Sequence, residues 1–428
     1  MVEIIKYPKQ AEWPEYAQRA AVADAAARLS VAEIIAEVES RGDEALKELS
    51  LKFDGCCPEV LKISREEIDN ACREVSGELK KAIETAAANI EKFHAAELPK
   101  AVEVEVMPGI RCSQRAVPIS RVGLYIPGGN SPLFSTVLML AIPARLAGCR
   151  EIVLCTPPRR DGTVHPAILF AAHVAGVTDI FKVGGAQAIA AMAVGTGSIK
   201  PVYKIFGPGN RYVTEAKVQA AARGVAIDMP AGPSEVMVVA DCSADPVFVA
   251  SDFLSQAEHG ADSQSILLTT DAELADRVTE AIETLLVGLP KRDLAEKSLS
   301  HSHIILLHDD DEMMRFANYY APEHLIINHT DADRLAAMVE NAGSVFLGAY
   351  SPESAGDYAS GTNHTLPTGG HARCYSGVNI DSYMKKITFQ RLTHEGLASI
   401  APTVTTMARE EGLVAHSLAV EVRINRKL

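Results

Sequence analysis

Residues 121–158 read RVGLYIPGGNSPLFSTVLMLAIPARLAGCREIVLCTPP and set the pattern for most of the chain. Two short apolar runs, VGLYIP and EIVLCTPP, flank a longer stretch with helical character, and a Gly-Gly turn ends the first run. Short apolar runs separated by helices are typical of parallel strands in an α/β fold. This stretch therefore predicts the fold class α/β.

The same alternation continues beyond residue 158. Seven further runs rich in Val and Ile follow, namely IFKVGG, YKIFGP, EVMVVAD, SILLTT, IILLHD, HLIIN and SVFLG. Such runs predict mostly parallel sheets that helices cover on both faces. The first hundred residues instead repeat apolar positions at spacings of three and four, which predicts helices.

Two stretches dense in Gly and Pro, at 121–132 and 228–235, bracket about 100 residues of α/β pattern, the size of an inserted domain. The pattern predicts four parts: an N-terminal arm at 1–20, a discontinuous α/β domain at 21–124 and 234–378, an inserted α/β domain at 125–233, and a mostly helical C-terminal arm at 379–428.

Composition excludes several classes of protein. The chain has 428 residues with 41 basic and 55 acidic side chains, and the net charge of −14 disfavours binding to a phosphate backbone. Its eight cysteines form no C-x-x-C pair, so we expect reduced thiols. No signal peptide is visible, and the most apolar stretch is too short for a membrane span. We expect a soluble, cytoplasmic protein that binds neither nucleic acid nor membrane.

Three glycine clusters lie at 126–132, 183–190 and 206–213, each after a strand-like run and before a helical stretch. Free backbone N–H groups at such a helix start can hold a phosphate. A plain turn at the end of a strand is the alternative for each cluster.

A candidate metal pair lies in DFLSQAEHGADS, residues 252–263. Gln256 and His259 are three residues apart, which places them on one face if the helix continues through the segment. An amide oxygen and an imidazole nitrogen at this spacing can chelate one cation. The alternative is a solvated helix end that Gly260 caps.

A candidate acid/base pair lies in YYAPEHLIIN, residues 319–328. Pro322 favours the first position of a short helical turn, in which Glu323 and His324 could face one cavity. A carboxylate beside an imidazole can transfer protons near neutral pH. The alternative is a surface turn.

Two further polar pairs stand out. Asp357 and His364 lie among small residues in SPESAGDYASGTNHTLPTGG, which is typical of a loop, and Glu411 and His416 are five residues apart near the C-terminus. For the second pair, a terminal helix with a stray histidine is the alternative.

Together these elements resemble the histidinol dehydrogenase family, from about residue 20 to the C-terminus. The resemblance is carried by motifs that occur in the order of the family: GLYIPGGNSP, VGGAQAIAAMAVGT, KIFGPGNRYVTEAK, DMPAGPSEVMVVAD, DFLSQAEHG, APEHL and ESAGDYASGTNHTLPT. It implies an NAD-dependent oxidation of L-histidinol, through L-histidinal, to L-histidine, the last step of histidine biosynthesis.

The resemblance also implies roles for individual residues. One Zn²⁺ per subunit would be held by Gln256, His259, Asp357 and His416. The same four residues would contact the substrate together with Ser234, His324, His364 and Glu411. NAD would contact Tyr125, directly before the first glycine cluster, and Gln187 and Asn210, within the second and third clusters.

The family further implies two incomplete Rossmann-like parallel-sheet domains, of which 125–233 binds NAD, with helical N-terminal and C-terminal arms. It implies a homodimer in which the C-terminal arm brings Glu411 and His416 to the active site of the neighbouring subunit. His324 would remove the substrate's protons, and Glu323 would activate a water. From other classes, a metal-dependent hydrolase and a silent binding module are the alternatives.

Overall fold

Two parallel β-sheets form the centre of the fold, in agreement with the predicted α/β class. The protein is described by a computed structural model over residues 2–19, 25–128, 131–230 and 232–426. The strands, in chain order, are β1 (Glu3–Lys6), β2 (Val102–Met107), β3 (Ile110–Pro118), β4 (Arg121–Tyr125), β5 (Glu151–Thr156), β6 (Asp179–Lys182), β7 (Lys204–Phe206), β8 (Ala226–Ile227), β9 (Glu235–Ala240), β10 (Gln264–Thr269), β11 (His303–Leu306), β12 (His324–Asn328), β13 (Ser344–Leu347) and β14 (Met384–Leu392).

Helices connect these strands and cover both parallel sheets. In chain order they are α1 (Trp13–Tyr16), α2 (Ala25–Arg41), α3 (Asp43–Asp54), α4 (Arg65–Glu74), α5 (Gly77–Ala96), α6 (Phe134–Ala147), α7 (Pro166–Ala175), α8 (Gly185–Val194), α9 (Arg211–Ala222), α10 (Pro246–Ala257), α11 (Ala272–Leu286), α12 (Arg292–Leu299), α13 (Asp310–Tyr320), α14 (Ala332–Ala336), α15 (Glu353–Tyr358), α16 (His394–Glu410) and α17 (Val414–Ile424). Within the described ranges, no helix is both long enough and apolar enough to cross a membrane.

The two parallel sheets share one topology. The first has the order β6-β5-β4-β7-β8, and the second has the order β11-β10-β9-β12-β13, with β1 added beside β11. In each sheet the chain moves outward through three strands and then continues on the other side of the first one. This is the strand order of a Rossmann sheet without its sixth strand, so the predicted fold class is confirmed.

Hydrophobic side chains fill the space on both faces of each sheet. Every residue of β9 and β10 is buried, which is typical of parallel strands between two helical layers. One cluster on the first sheet joins Leu124 to Ile83 and Ile90 of α5, and a second joins Ile189 to Val31 of α2. Two further clusters cover the second sheet.

The packing of α2 to α5 differs from the expected grouping of 21–124 with 234–378. These helices cover the sheet of β4 to β8, because their apolar faces meet strands of that sheet. An amphipathic pattern shows that a helix has a buried face, but it does not show which sheet that face covers. The domain boundaries themselves stay a prediction.

A third, antiparallel sheet has the order β14-β3-β2. It links residues 102–118 to the C-terminal segment, where β14 pairs with β3 from Met384 opposite Pro118 to Leu392 opposite Ile110. The described part of the predicted, mostly helical arm at 379–428 therefore contains one long strand, β14, before α16 and α17.

Candidate active site

The predicted acid/base pair lies where β9 and β12 begin side by side. The two strands are parallel neighbours, with His324 opposite Val236, and Glu235 is the first residue of β9. The strand order reverses between these two strands: β10 and β11 follow on the side of β9, and β13 follows on the side of β12. Open α/β sheets usually bind ligands at the carboxyl ends of such strands, whereas this site lies at the amino ends.

The expected helical turn at 322–324 is wrong. His324 is the first residue of β12, and α13 ends at Tyr320 before Ala321, whose φ of 56° is left-handed. The apolar run LIIN pairs with β9, and this pairing outweighs the helical preference of the proline. Both side chains are nevertheless buried, with Glu323 Oε2 3.6 Å from His324 Nδ1.

The backbone of Glu235 contacts both members of the pair. Its carbonyl oxygen is 3.0 Å from Nδ1 of His324, and its N–H donates to Oε2 of Glu323 at 2.8 Å. A carbonyl can only accept, so Nδ1 carries a proton and Nε2 is the nitrogen left to exchange one. Among the described residues Nε2 has no hydrogen-bond partner, and Oδ1 of Asp357 lies 3.7 Å away.

Three carboxylates surround the ring of His324. Oxygens of Glu323, Glu353 and Asp357 lie 3.6, 3.9 and 3.7 Å from its nitrogens. Burial alone would lower the pKa of His324, but the negative charges of Glu353 and Glu323 outweigh it and raise the pKa well above its usual value. Burial raises the pKa of Glu323 to about 8 and that of Glu353 to about 7.

Next to this pair is a group of side chains that fits a divalent metal ion. One donor atom each from His259, Glu353 and Asp357 lie within 4.8 Å of one another. The side chain of Gln256 is fully buried, and neither of its polar atoms has a hydrogen-bond partner among the described residues. Buried amide atoms without partners are rare, and mixed oxygen and nitrogen donors suit a borderline ion such as zinc.

Two helix ends supply these donors. Gln256 lies in the last turn of α10, and His259 follows in the turn after the helix, so the helical spacing holds only to residue 257. Glu353 and Asp357 are one turn apart on α15. Glu353 was not predicted from the sequence, although its spacing of four residues from Asp357 within ESAGDY is the signal that could have found it.

Ser234 and His364 line a cavity of about 690 Å³ together with His259 and Glu323. The Nδ1 atom of His364 is 2.8 Å from the backbone oxygen of Asp357, and its Nε2 atom is 3.1 Å from Oγ1 of Thr136. The fold therefore brings Ser234 and His364, two of the predicted substrate contacts, to the cavity that His259 of the donor group also lines.

The two C-terminal candidates are elsewhere. Glu411 follows α16 and His416 lies on α17, where both side chains are exposed. Neither lines the cavity, and His416 does not belong to the donor group within the described chain. The family resemblance places Glu411 and His416 in the active site of a second subunit, and this role stays a prediction.

The three predicted NAD contacts line one further cavity, of about 750 Å³, at the carboxyl ends of β4, β6 and β7. Asn210 is the N-cap of α9, and its Oδ1 accepts from the N–H groups of Tyr212 and Val213. The hydroxyl of Tyr125 accepts from the N–H of Gly185 at 3.1 Å, and burial raises the pKa of Tyr125 to about 12. Asn210 lines both cavities, so they meet at the start of α9.

Known proteins of one family are similar to this chain over nearly its whole length. The sequence pattern of the histidinol dehydrogenase family matches residues 17–424. The chain is 55% identical to a histidinol dehydrogenase of Bacteroides thetaiotaomicron and 56% identical to one of Bacteroides fragilis, each over 99% of both chains. A crystal structure of histidinol dehydrogenase from Elizabethkingia anophelis superposes with a TM-score of 0.97 at 49% identity, covering 99% of this chain and 98% of that one. The chain therefore belongs to the histidinol dehydrogenase family.

Proposed function

We propose that this chain oxidises L-histidinol to L-histidine through L-histidinal, with Zn²⁺ and two molecules of NAD. The observation that carries the proposal is the surroundings of His324. Its Nε2, which has no hydrogen-bond partner among the described residues, is 3.7 Å from Oδ1 of Asp357 in the donor group. Its neighbour Glu323 lines the cavity that meets the one lined by Tyr125, Gln187 and Asn210. Both relatives named above are histidinol dehydrogenases, and this supports the same substrate here.

In this proposal Gln256, His259 and Asp357 bind the metal, with Glu353 beside them. The grouped donor atoms of His259, Glu353 and Asp357 and the buried amide of Gln256, which has no partner among the described residues, support this role. A bound zinc ion would hold the nitrogens of the substrate and so fix the carbon that reacts. NAD would accept a hydride in each of the two oxidations.

In the first oxidation, Nε2 of His324 takes the proton of the substrate hydroxyl while the carbinol carbon loses a hydride. A cation held beside Glu353 and Asp357 would offset the negative charge that raises the pKa of His324, and would so favour the unprotonated Nε2 that this step needs. The fixed Nδ1–H bond to the carbonyl of Glu235 keeps the ring oriented for this transfer. General base catalysis of this kind contributes about 10²- to 10⁴-fold.

Before the second oxidation, Glu323 takes a proton from a water that adds to the aldehyde carbon, and His324 returns its proton to the aldehyde oxygen, which gives a neutral hydrate. The hydrate then loses a second hydride to NAD⁺ while one of its hydroxyl protons goes to His324. The carboxylic acid that forms releases its remaining proton to solvent and becomes the carboxylate. The N–H of Glu235 donates to Oε2 of Glu323, so in this proposal the other carboxylate oxygen takes the proton of the water.

We further propose a homodimer in which Glu411 and His416 complete the site of the partner. The exposed apolar side chains on and between α16 and α17 support an interface there: Met407, Leu413, Val414, Leu418 and Val422. Most soluble oligomers are symmetric dimers, in which each subunit would lend its arm to the other.

The test is to incubate the purified protein with histidinol and NAD, with and without a chelator. We expect two equivalents of NADH per histidinol, and none after the metal is removed. A single equivalent would reject the second oxidation. Turnover of histidinol without NADH would favour a hydrolase instead.

A further inference from the structure

Arg19 lies in the N-terminal segment to which the sequence assigned no role. Its guanidinium binds the carboxylate of Glu235 with two hydrogen bonds, from Nε at 2.6 Å and from Nη2 at 3.0 Å. The Glu235 side chain is 2% exposed and that of Arg19 17% exposed, so this is a largely buried ion pair. Two parallel hydrogen bonds between a guanidinium and a carboxylate fix the relative orientation of the two groups, in addition to pairing their charges.

Glu235 connects this ion pair to the site. Its carboxylate also accepts from the N–H of Gly369 at 2.7 Å, while its backbone contacts His324 and Glu323. The carbonyl and the N–H of Glu235 are the hydrogen-bond partners of His324 and Glu323. A shift of the Glu235 backbone would therefore displace both proposed catalytic side chains.

Arg19 also contacts the segment that precedes β12. Its Nη2 donates to the carbonyl of Tyr320 at 2.7 Å, and its guanidinium carbon lies 3.7 Å from the centre of the Tyr320 ring. Tyr320 and the left-handed Ala321 form the turn that leads into Glu323 and His324. One side chain thus binds the first residue of β9 and the turn that precedes β12.

The segment that carries Arg19 is itself docked. The backbone oxygen of Gln18 accepts from Nε2 of Gln264 at 3.3 Å, and Oε1 of Gln264 accepts from the hydroxyl of Tyr320 at 2.6 Å. These bonds join the N-terminal arm to β10 and to the end of α13.

We infer that Arg19 is a positioning residue, which acts through Glu235 and the 320–321 turn to set the geometry of His324 and Glu323. The inference rests on the proposed function. Lysine keeps the charge of arginine but cannot form the planar fork or stack on the ring in the same way. Misplacement of a reacting group by about 1 Å can cost about 100-fold in rate.

The experiment compares Arg19→Lys and Arg19→Ala with the wild-type enzyme in oxidation of histidinol and, separately, of histidinal. We expect kcat to fall about 10- to 100-fold for both substrates, with KM for NAD within about twofold, because Glu235 contacts both catalytic side chains and lies outside the NAD cavity. About 50 mM guanidinium, far below denaturing concentrations, should restore part of the kcat of Arg19→Ala.

Arg41→Lys is the matched control, because Arg41 also forms a two-bond pair, with Glu48, but on the exposed surface. It should keep wild-type kcat. If an Arg19 variant does not fold, Glu235→Gln takes its place and must show the same loss for both substrates. Unchanged kcat in a folded variant, or a loss for only one substrate, would overturn the inference. No NADH from the wild type would instead reject the proposed function.

Discussion

At the scale of single residues, the two nitrogens of His324 have different surroundings. Nδ1 is held by the carbonyl of Glu235, and Nε2 is buried without a partner among the described residues. A ring held at one nitrogen and free at the other is oriented for proton transfer.

Replacement of this ring should remove the base. For His324→Ala we expect kcat to fall at least about 10²-fold, the usual contribution of a general base. Steady-state rates of NADH formation measure the effect, and His308→Ala, an exposed histidine before α13, should have no effect. An unchanged kcat would count against the assignment of His324.

Glu323 is proposed to act only on water, so its effect should depend on the substrate. We expect Glu323→Gln to slow the oxidation of histidinal more than that of histidinol, because only the aldehyde needs a water. Rates with each substrate, measured separately, check this. Equal losses in both reactions would remove the water-activating role.

Asp54 gives a pH-dependent prediction. It lines the cavity of the predicted NAD contacts, its Oδ2 has no partner in the described chain, and burial raises its pKa to about 6. The unfolded chain loses this proton near pH 4 and the folded chain near pH 6, so ionisation destabilises the fold as pH rises through this window.

Asp54→Asn should therefore stabilise the protein, by on the order of 1 kcal/mol at pH 8 after allowance for solvent screening, and by less at pH 5. Urea unfolding at the two pH values measures this difference. Asp276→Asn, at an exposed position of α11, is the control. A gain that is the same at both pH values would contradict the prediction.

At the scale of secondary structure, α15 presents Glu353 and Asp357 one turn apart toward the site. We expect Glu353→Ala to weaken zinc binding by about 10- to 100-fold, the usual effect of removing a carboxylate around a metal site. Competition with a chromophoric chelator measures the affinity. Glu258→Gln, between Gln256 and His259 but outside the donor group, should bind zinc normally; equal affinity in both variants would exclude Glu353 from the site.

The strands show what the sequence could and could not predict. All nine predicted apolar runs contain a strand, from β4 to β7 and from β9 to β13, because fully buried parallel strands have a clear apolar signature. The antiparallel strands β2, β3 and β14 were missed, because none of them is a buried, continuous apolar run: β2 alternates Val with Glu and is exposed, and β3 and β14 are mixed in polarity. The two-residue β8 and the four-residue β1 are too short for a pattern.

The residues of the site likewise differ in how far the sequence could predict them. Residues of one motif, such as Glu323 with His324, could be found together in the sequence. The contact of Arg19 with Glu235 could not, because 216 positions separate them and only the folded sheet brings them together. Family resemblance supplied the grouping of distant motifs that periodicity cannot supply.

At the scale of the whole molecule, the proposed shared sites can be tested by mixing subunits. His259→Ala and His416→Ala should each be inactive alone. After co-refolding in equal amounts, about half the dimers are mixed, and each mixed dimer has one site with both histidines, so about a quarter of wild-type activity should return. If each site is built from one chain, mixing should restore nothing.

The meeting of the two cavities at Asn210 has a consequence for the order of events. Asn210 is the one residue common to both described linings, so NADH and the aldehyde intermediate would contact largely different residues. Under the proposed function, the first NADH could depart and a fresh NAD⁺ could arrive while the reactive aldehyde stayed bound. Such an exchange in mid-reaction would keep the aldehyde from escaping into solution.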